Sequence, residues 1–278
     1  MKPKWLIEEQ AFPEDTQPIY SALEELGIEY KRINGRLTIL TDKSEPDEYF
    51  GPEECVIFYG SLELAKRLRK AASWIPGVYY NVKAFECTSY YPVFGNHLLN
   101  SNYMMLPYGE LLRQKEFLYE KLGQDRAIFI RPNDGGKVFT GRLVYKENYE
   151  KDVKLLGFYD VPSDELCIVA EPINIQSEWR FVVVDEEVVA GSLYKENNIV
   201  GSDANYPKEA FNLASEMAKL YSPDRAWCVD ICSTKSGEYK VVEIGCFSCA
   251  GLYKCDRTSV VRAVSEAAMD EWVEYDQN

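Results

Sequence analysis

The sequence predicts a mixed α/β (α+β) protein, and three observations carry that reading. The first third alternates short apolar runs with amphipathic helical patterns, the rhythm of β-α-β units that lay helices on the faces of a small sheet. From residue 127 onward the pattern changes to pairs of apolar runs joined by polar turns, as antiparallel hairpins require. Over 278 residues the chain is 46% hydrophobic and 27% charged, ordinary globular usage. A chain of this size buries ~70–75% of its unfolded surface.

In order, residues 5–7 read as a strand, 18–27 as an amphipathic helix closed by Gly27, and 28–33 as a second strand. Strands follow at 55–60 and 78–82, with a helix at 62–74 between them. Residues 83–108 are rich in aromatics, Asn and Pro and read as irregular, which puts a boundary between a first domain at 1–100 and a second at 101–278. A helix at 109–122 precedes the hairpin region. AIFIRP leads through a Gly-rich loop to GRLVY, CIVAEPI is followed by EWRFVVV and VVAGSLY, and AWCVDIC is joined by a TKSGE turn to YKVVEIG. Helices at 207–221 and 257–273 complete the pattern.

Charge and composition exclude several functions. With 31 Lys and Arg against 45 Asp and Glu, the net charge is −14, which disfavours nucleic acid and anionic membranes as partners. The chain has one histidine, His97. A Ser-His-Asp mechanism would have to use it, and multi-His zinc catalysis is excluded. The N-terminal residues lack the apolar run of a signal peptide, and no stretch reaches the ~18 apolar residues of a membrane helix. The eight cysteines are scattered, and with no secretion signal they read as reduced, buried thiols of a cytoplasmic protein. Cys246, Cys249 and Cys255 form the one local cluster with metal-like spacing, without a second pair to complete a zinc site.

The stretch 226–245 carries most of the chemistry. A tight turn at Ser236-Gly237 between two β-rich runs sets Asp230 directly across from Glu243, and leaves Val229, Ile231, Val242 and Ile244 on the opposite face. Like charges across a ladder repel. A divalent cation such as Mg2+, which takes one or two carboxylates with phosphate oxygens, would compensate; full solvation of both carboxylates, or a slipped register, would do so as well.

Arg131 ends a strand just before Gly135, Gly136 and Lys137, where glycine amides, a planar guanidinium and a point charge suit phosphate oxygens. A plain turn accounts for the same glycines. Glu178 and Arg180, two residues apart, share a strand face, as a surface ion pair would also require. Pro172 interrupts pairing after Glu171 and frees backbone near Ile173 for a ligand.

Taken in order, these segments resemble the ATP-grasp superfamily, most of all a small phage- and bacteria-associated clade with arginine at the first phosphate-binding position. IFIRPNDGGKVFTG, SEWRFVVVDEEVVAGSLY and VVEIGCFSCAGLY carry the likeness. It implies an ATP-grasp fold over 101–278 behind an N-terminal βαβ-type pre-ATP-grasp domain at 1–100. It further implies an ATP-dependent, Mg2+-dependent carboxylate–amine (or thiol) ligase that works through an acyl phosphate and releases ADP. Its substrates would be small-molecule or peptide carboxylates and amines. Arg131, Gly135, Gly136 and Lys137 would hold the ATP phosphates, the backbone around Glu171 and Ile173 would meet the adenine, and Glu178 the ribose. Arg180, with Lys195 beside it, would serve phosphoryl transfer, and Asp230 and Glu243 would ligate Mg2+. Where the family usually has Asn two residues after the last metal glutamate, this chain has Gly245. That departure leaves a non-catalytic or kinase-like ATP-binding member as an alternative, beside a zinc module built on the three cysteines.

Overall fold

The structure is a computed structural model that describes residues 2–34, 48–136, 138–156, 161–197 and 199–277. Strands β1 (Lys4–Glu8), β2 (Glu29–Ile33), β3 (Cys55–Tyr59) and β4 (Ile75–Gly77) form a parallel sheet in the order β2-β1-β3-β4. Every residue of β3 is buried, as a strand covered on both faces requires. Helix α1 (Pro13–Leu26) opens with Pro13, whose missing N–H costs nothing at a helix start, and ends at Gly27 with φ +62°. It therefore begins five residues before the position that periodicity indicates. Helix α2 (Leu62–Ala71) is capped by Ser61 Oγ, which accepts from Leu64 N at 3.4 Å.

Three expectations for the first half of the chain need correction. The fourth strand lies at Ile75–Gly77 rather than 78–82, since at a sheet edge Pro76 need not donate to the ladder. The segment 83–108 is also more regular than its composition suggests. It holds helix α3 (Cys87–Phe94), in spite of Pro92, and strand β5 (Tyr103–Pro107). Tyr90, Tyr91 and Phe94 of α3 are buried together with Trp179, Phe181 and Trp227, so tertiary packing overrides the poor helix propensity of aromatics. The helix expected at 109–122 is split into one turn at Tyr108–Leu111 and α4 (Lys115–Leu122).

Strand β5 joins β6 (Ala127–Pro132), β7 (Arg142–Tyr145) and β8 (Leu166–Ala170) in an antiparallel sheet ordered β5-β8-β6-β7. Its outer face packs Ile128, Ile130, Val144 and Val169 against Leu118 and Leu122 of α4 and against Val153 of α5 (Tyr149–Leu156). Alternation then turns Phe129 and Arg131 to the other face.

A second antiparallel sheet, ordered β11-β10-β9-β12-β13, uses β9 (Ile175–Val184), β10 (Glu187–Glu196), β11 (Ile199–Asp203), β12 (Ala226–Thr234) and β13 (Tyr239–Cys246). One face puts Phe181, Val183, Val229 and Ile231 against Ala210, Ala214 and Met217 of α6 (Lys208–Leu220). On the other face, Val182, Val184 and Cys228 pack with Val260, Val261 and Val264 of α7 (Arg257–Asp276) and with Trp5 and Ile7 of β1. That cover stops at Arg180. Beyond it the same face carries charged residues and forms one wall of a cleft, opposite Arg131. Among the described residues no helix is long and apolar enough to cross a membrane.

Candidate active site

The hairpin β12–β13 has the register that its turn predicts, with Asp230 across from Glu243 and Val229 across from Ile244. Beyond that pair the ladder slips by one residue, so Ile231 faces Val241. Val242 is the extra residue, and Val241 takes the core position that strict alternation assigns to Val242. The bulge has a use at the site. Arg131 reaches across from β6, donating from Nη1 to the Val242 carbonyl at 3.4 Å and from Nη2 to Glu243 Oε2 at 3.0 Å.

Asp230 of β12, 3% exposed, pairs directly with Arg180 of β9. The guanidinium grips it with two bonds of 2.8 Å, Nε to Oδ1 and Nη2 to Oδ2, and gives a third to the Gly251 carbonyl at 3.1 Å. This bidentate geometry is one that arginine offers and lysine does not. Burial raises the Asp230 pKa against the pull of Arg180, and the carboxylates of Glu243 and Glu178 add to the rise.

A second bulge lies on β10, where Leu193 faces Trp179 and Lys195 faces Glu178, so Tyr194 is the extra residue. Both neighbours therefore reach one carboxylate. Tyr194 donates to Glu178 Oε2 at 2.7 Å and Lys195 Nζ to Oε1 at 2.7 Å. Burial, then Asp230 and Glu178, push the Tyr194 phenol well up, so it remains a donor at neutral pH. Tyr194 also stacks on Tyr253 with centroids 4.9 Å apart, and the Arg180 guanidinium lies 5.7 Å from one ring and 5.3 Å from the other.

These side chains line a cleft of about 1050 Å³, ample for a nucleotide and a second small molecule. Arg131, Gly135, Ile173, Glu178, Arg180, Lys195 and Glu243 all border it, and Ile173 leaves 40% of its apolar surface open. Asp230 sits behind this wall, held by Arg180. Gly136 does not border the cleft, and its amide is already given to Asp134 Oδ1 at 2.7 Å. Glu171 also turns away, accepting from Asn102 Nδ2 at 2.7 Å. Lys137 lies outside the described residues. His97 does not border the cleft, and its Nε2 lies 3.7 Å from Glu216 on α6.

Sequence reasoning missed Tyr194 and Tyr253, and it missed Phe12 and Glu14 at the start of α1, which border the same cleft. The tyrosines depend on a bulge and on a positive φ (+52° at Tyr253), which no periodicity reveals.

The donor chemistry suits Mg2+, since Asp230 and Glu243 put hard oxygens on one sheet face. Glu243 is 40% exposed toward the cleft, whereas both Asp230 oxygens are engaged by Arg180. A Cβ built at Gly245 meets nothing within 4 Å, so the space of the family's Asn stays open beside them. The cysteine trio fares worse. Cys255 turns its thiol to the Arg180 carbonyl at 4.0 Å, and among the described residues no three His, Cys, Asp or Glu side chains gather as a metal site.

Comparison with solved structures places the whole chain on one fold. D-cycloserine synthetase DcsG superposes with a TM-score of 0.67 at 12% identity, covering 95% of this chain and 99% of the other. D-alanine–D-alanine ligase from Bacillus anthracis, complexed with ATP, gives 0.62 at 14% identity and covers 99% and 100%. ATP-grasp ligase PsnB, complexed with a minimal precursor, gives 0.57 at 14% identity and covers 96% and 100%. No curated protein sequence matches the chain. The sequence model described as ATP-grasp domain, R2K clade family 2, matches residues 114–263, which include Arg131, Glu178, Arg180, Asp230 and Glu243, and the chain belongs to that ATP-grasp family.

Proposed function

We propose that this protein is an ATP-dependent, ADP-forming ligase that joins a small-molecule or peptide carboxylate to an amine, or to a thiol. One observation carries the reading: residues from four strands of two sheets bring three cations and two carboxylates to the wall of a single nucleotide-sized cleft. Residues 1–100 would act as the preceding domain, since Phe12, just before α1, and Glu14 in its first turn border the same cleft. The three ligase or synthetase neighbours support the class of reaction.

In this reading Arg131 orients the phosphates from β6, and Glu178, fixed by Tyr194 and Lys195, accepts from ribose hydroxyls. The exposed flank of Ile173 suits the face of an adenine. Arg180 is locked by Asp230, Gly251 and two tyrosine rings, so it presents a preorganised positive charge where the transferred phosphoryl group passes. Asp230 and Glu243 would hold Mg2+, which when bound neutralises charge on phosphate oxygens. Positioning and charge are what phosphoryl transfer asks of a protein, so a chain with one histidine, placed outside the cleft lining, suffices.

The test is incubation with ATP, Mg2+ and a panel of carboxylates and amines, with an 18O-labelled carboxylate. ADP release with label in the phosphate supports the ligase. A phosphorylated product that resists hydroxylamine supports a kinase. Tight ATP binding with no turnover on any panel supports a non-catalytic member, the reading that Gly245 favours.

A further inference from the structure

The eight thiols are not equivalent. Cys55, Cys87, Cys167, Cys228, Cys232 and Cys255 are buried away from the cleft, and burial pushes each of their pKa values up. Cys246 and Cys249 alone among the cysteines border the cleft. Cys246 ends β13, and Cys249 closes the single 3₁₀ turn, Phe247–Cys249, that follows it directly. Cys246 is the extended residue on which that turn starts, so one tight turn separates the two cysteines and draws their backbones toward the ~4.4–6.8 Å that a disulfide spans between Cα atoms. The neighbouring Cys249 side chain is the leading cause that holds the Cys246 thiol below its usual range although the residue is buried. A buried thiol with a lowered pKa and a partner one turn away differs from an inert core cysteine.

The turn between them is a structural joint. The Ser248 carbonyl accepts from Gly60 N at 2.8 Å and its hydroxyl from Tyr79 N at 3.0 Å. Phe247 packs edge-on to Trp5 with centroids 6.1 Å apart. The backbone between the two cysteines is thus fixed from the N-terminal side.

We propose that Cys246 and Cys249 form a reversible dithiol/disulfide couple, a modification site on the cleft wall whose oxidant is a hydroperoxide. The Cys246 thiolate attacks the peroxide oxygen, the O–O bond breaks, and Cys246 becomes a sulfenic acid while water or an alcohol leaves. The Cys249 sulfur then attacks the Cys246 sulfur, the S–O bond breaks, and a second water leaves. Two electrons pass from the thiols to the peroxide, and a dithiol reductant returns both thiols. Cys246 attacks and Cys249 resolves, since Cys246 carries the lowered pKa.

The full chain holds both cysteines in one tryptic peptide, residues 241–254, so the test is peroxide titration followed by alkylation and mass spectrometry. The expected result is a peptide about 2 Da lighter, from loss of two hydrogens, formed before any other cysteine is modified and restored by dithiothreitol. In Cys249→Ser, dimedone should trap Cys246 as a sulfenic acid. In Cys246→Ser, Cys249 should stay unlabelled at the same dose. A peptide 241–254 that remains fully alkylated while other cysteines oxidise overturns the couple. Dimedone labelling of Cys249 in Cys246→Ser, with none of Cys246 in Cys249→Ser, overturns the assigned order of attack.

Discussion

The parallel sheet near the N-terminus and the five-stranded antiparallel sheet put their buried faces to opposite uses. In β3 every residue is buried, and Trp5, Leu6 and Ile7 of β1 have no exposed surface. Its stability comes from apolar area removed from water. The cleft face of β9, β10, β12 and β13 buries Glu178 and Asp230 at 5% and 3% exposure, each against a cation. Such pairs contribute little net stability and are costly only when halved. The first sheet is built to fold. The second sacrifices packing to hold charges in fixed positions.

Halving a pair should break that contrast most sharply. Arg180→Ala leaves the Asp230 carboxylate buried without its cation, and urea denaturation should show a loss of about 3–5 kcal/mol. Joint replacement, Arg180→Met with Asp230→Leu, should restore most of that stability while ADP release stays absent. Recovery of both would show that the pair is structural only.

In the parallel sheet, Ile57→Ala removes a fully buried side chain and should cost about 2–5 kcal/mol, with ATP affinity of the folded protein unchanged in calorimetry. A change in that affinity beyond the unfolded fraction would blur the distinction between the two sheets.

Asp224 sharpens the comparison by pH. Burial pushes its carboxyl up to about 7, although its oxygens accept from Asn81 N at 3.2 Å and Arg225 N at 3.0 Å. The folded state then holds a proton that the unfolded chain releases near pH 4. Stability from this group is therefore greatest at low pH and falls as pH rises from about 4 to about 7, by at most about 1.4 kcal/mol per pH unit. Asp224→Asn should flatten the melting temperature between pH 5.5 and 7.5. An unchanged slope would assign it to the neighbouring Glu271 and Asp185, whose carboxyls burial also raises.

The smallest effect belongs to the surface. Glu274 meets Arg225 Nη2 at 2.8 Å with 64% of its side chain exposed, and Glu274→Gln should shift stability by less than about 1 kcal/mol.

What the sequence disclosed follows the range of each interaction. The facing of Asp230 and Glu243 could be read because a short turn sets it, and the order of hairpins because periodicity is local. The bulges at Val242 and Tyr194 could not be read, because one extra residue leaves no mark on hydrophobic alternation. Neither could α3, whose aromatics find their partners on strands far away in the chain. The contact of Arg131 with Glu243 spans 112 positions, and only the family resemblance brought these residues together beforehand. That resemblance also named Gly136 and Glu171, which do not border the cleft: the Gly136 amide is given to Asp134 two residues away, and the Glu171 carboxylate accepts from Asn102, 69 positions away.

The central claim is that one metal-bound triphosphate occupies the cleft between the two antiparallel sheets. A crystal structure with Mg2+ and a non-hydrolysable ATP analogue tests it most directly. The account predicts phosphate oxygens within hydrogen-bonding distance of Arg131 and Arg180, with the ion on Glu243 and Asp230. Nucleotide bound elsewhere, or an ion that touches neither carboxylate, would contradict it.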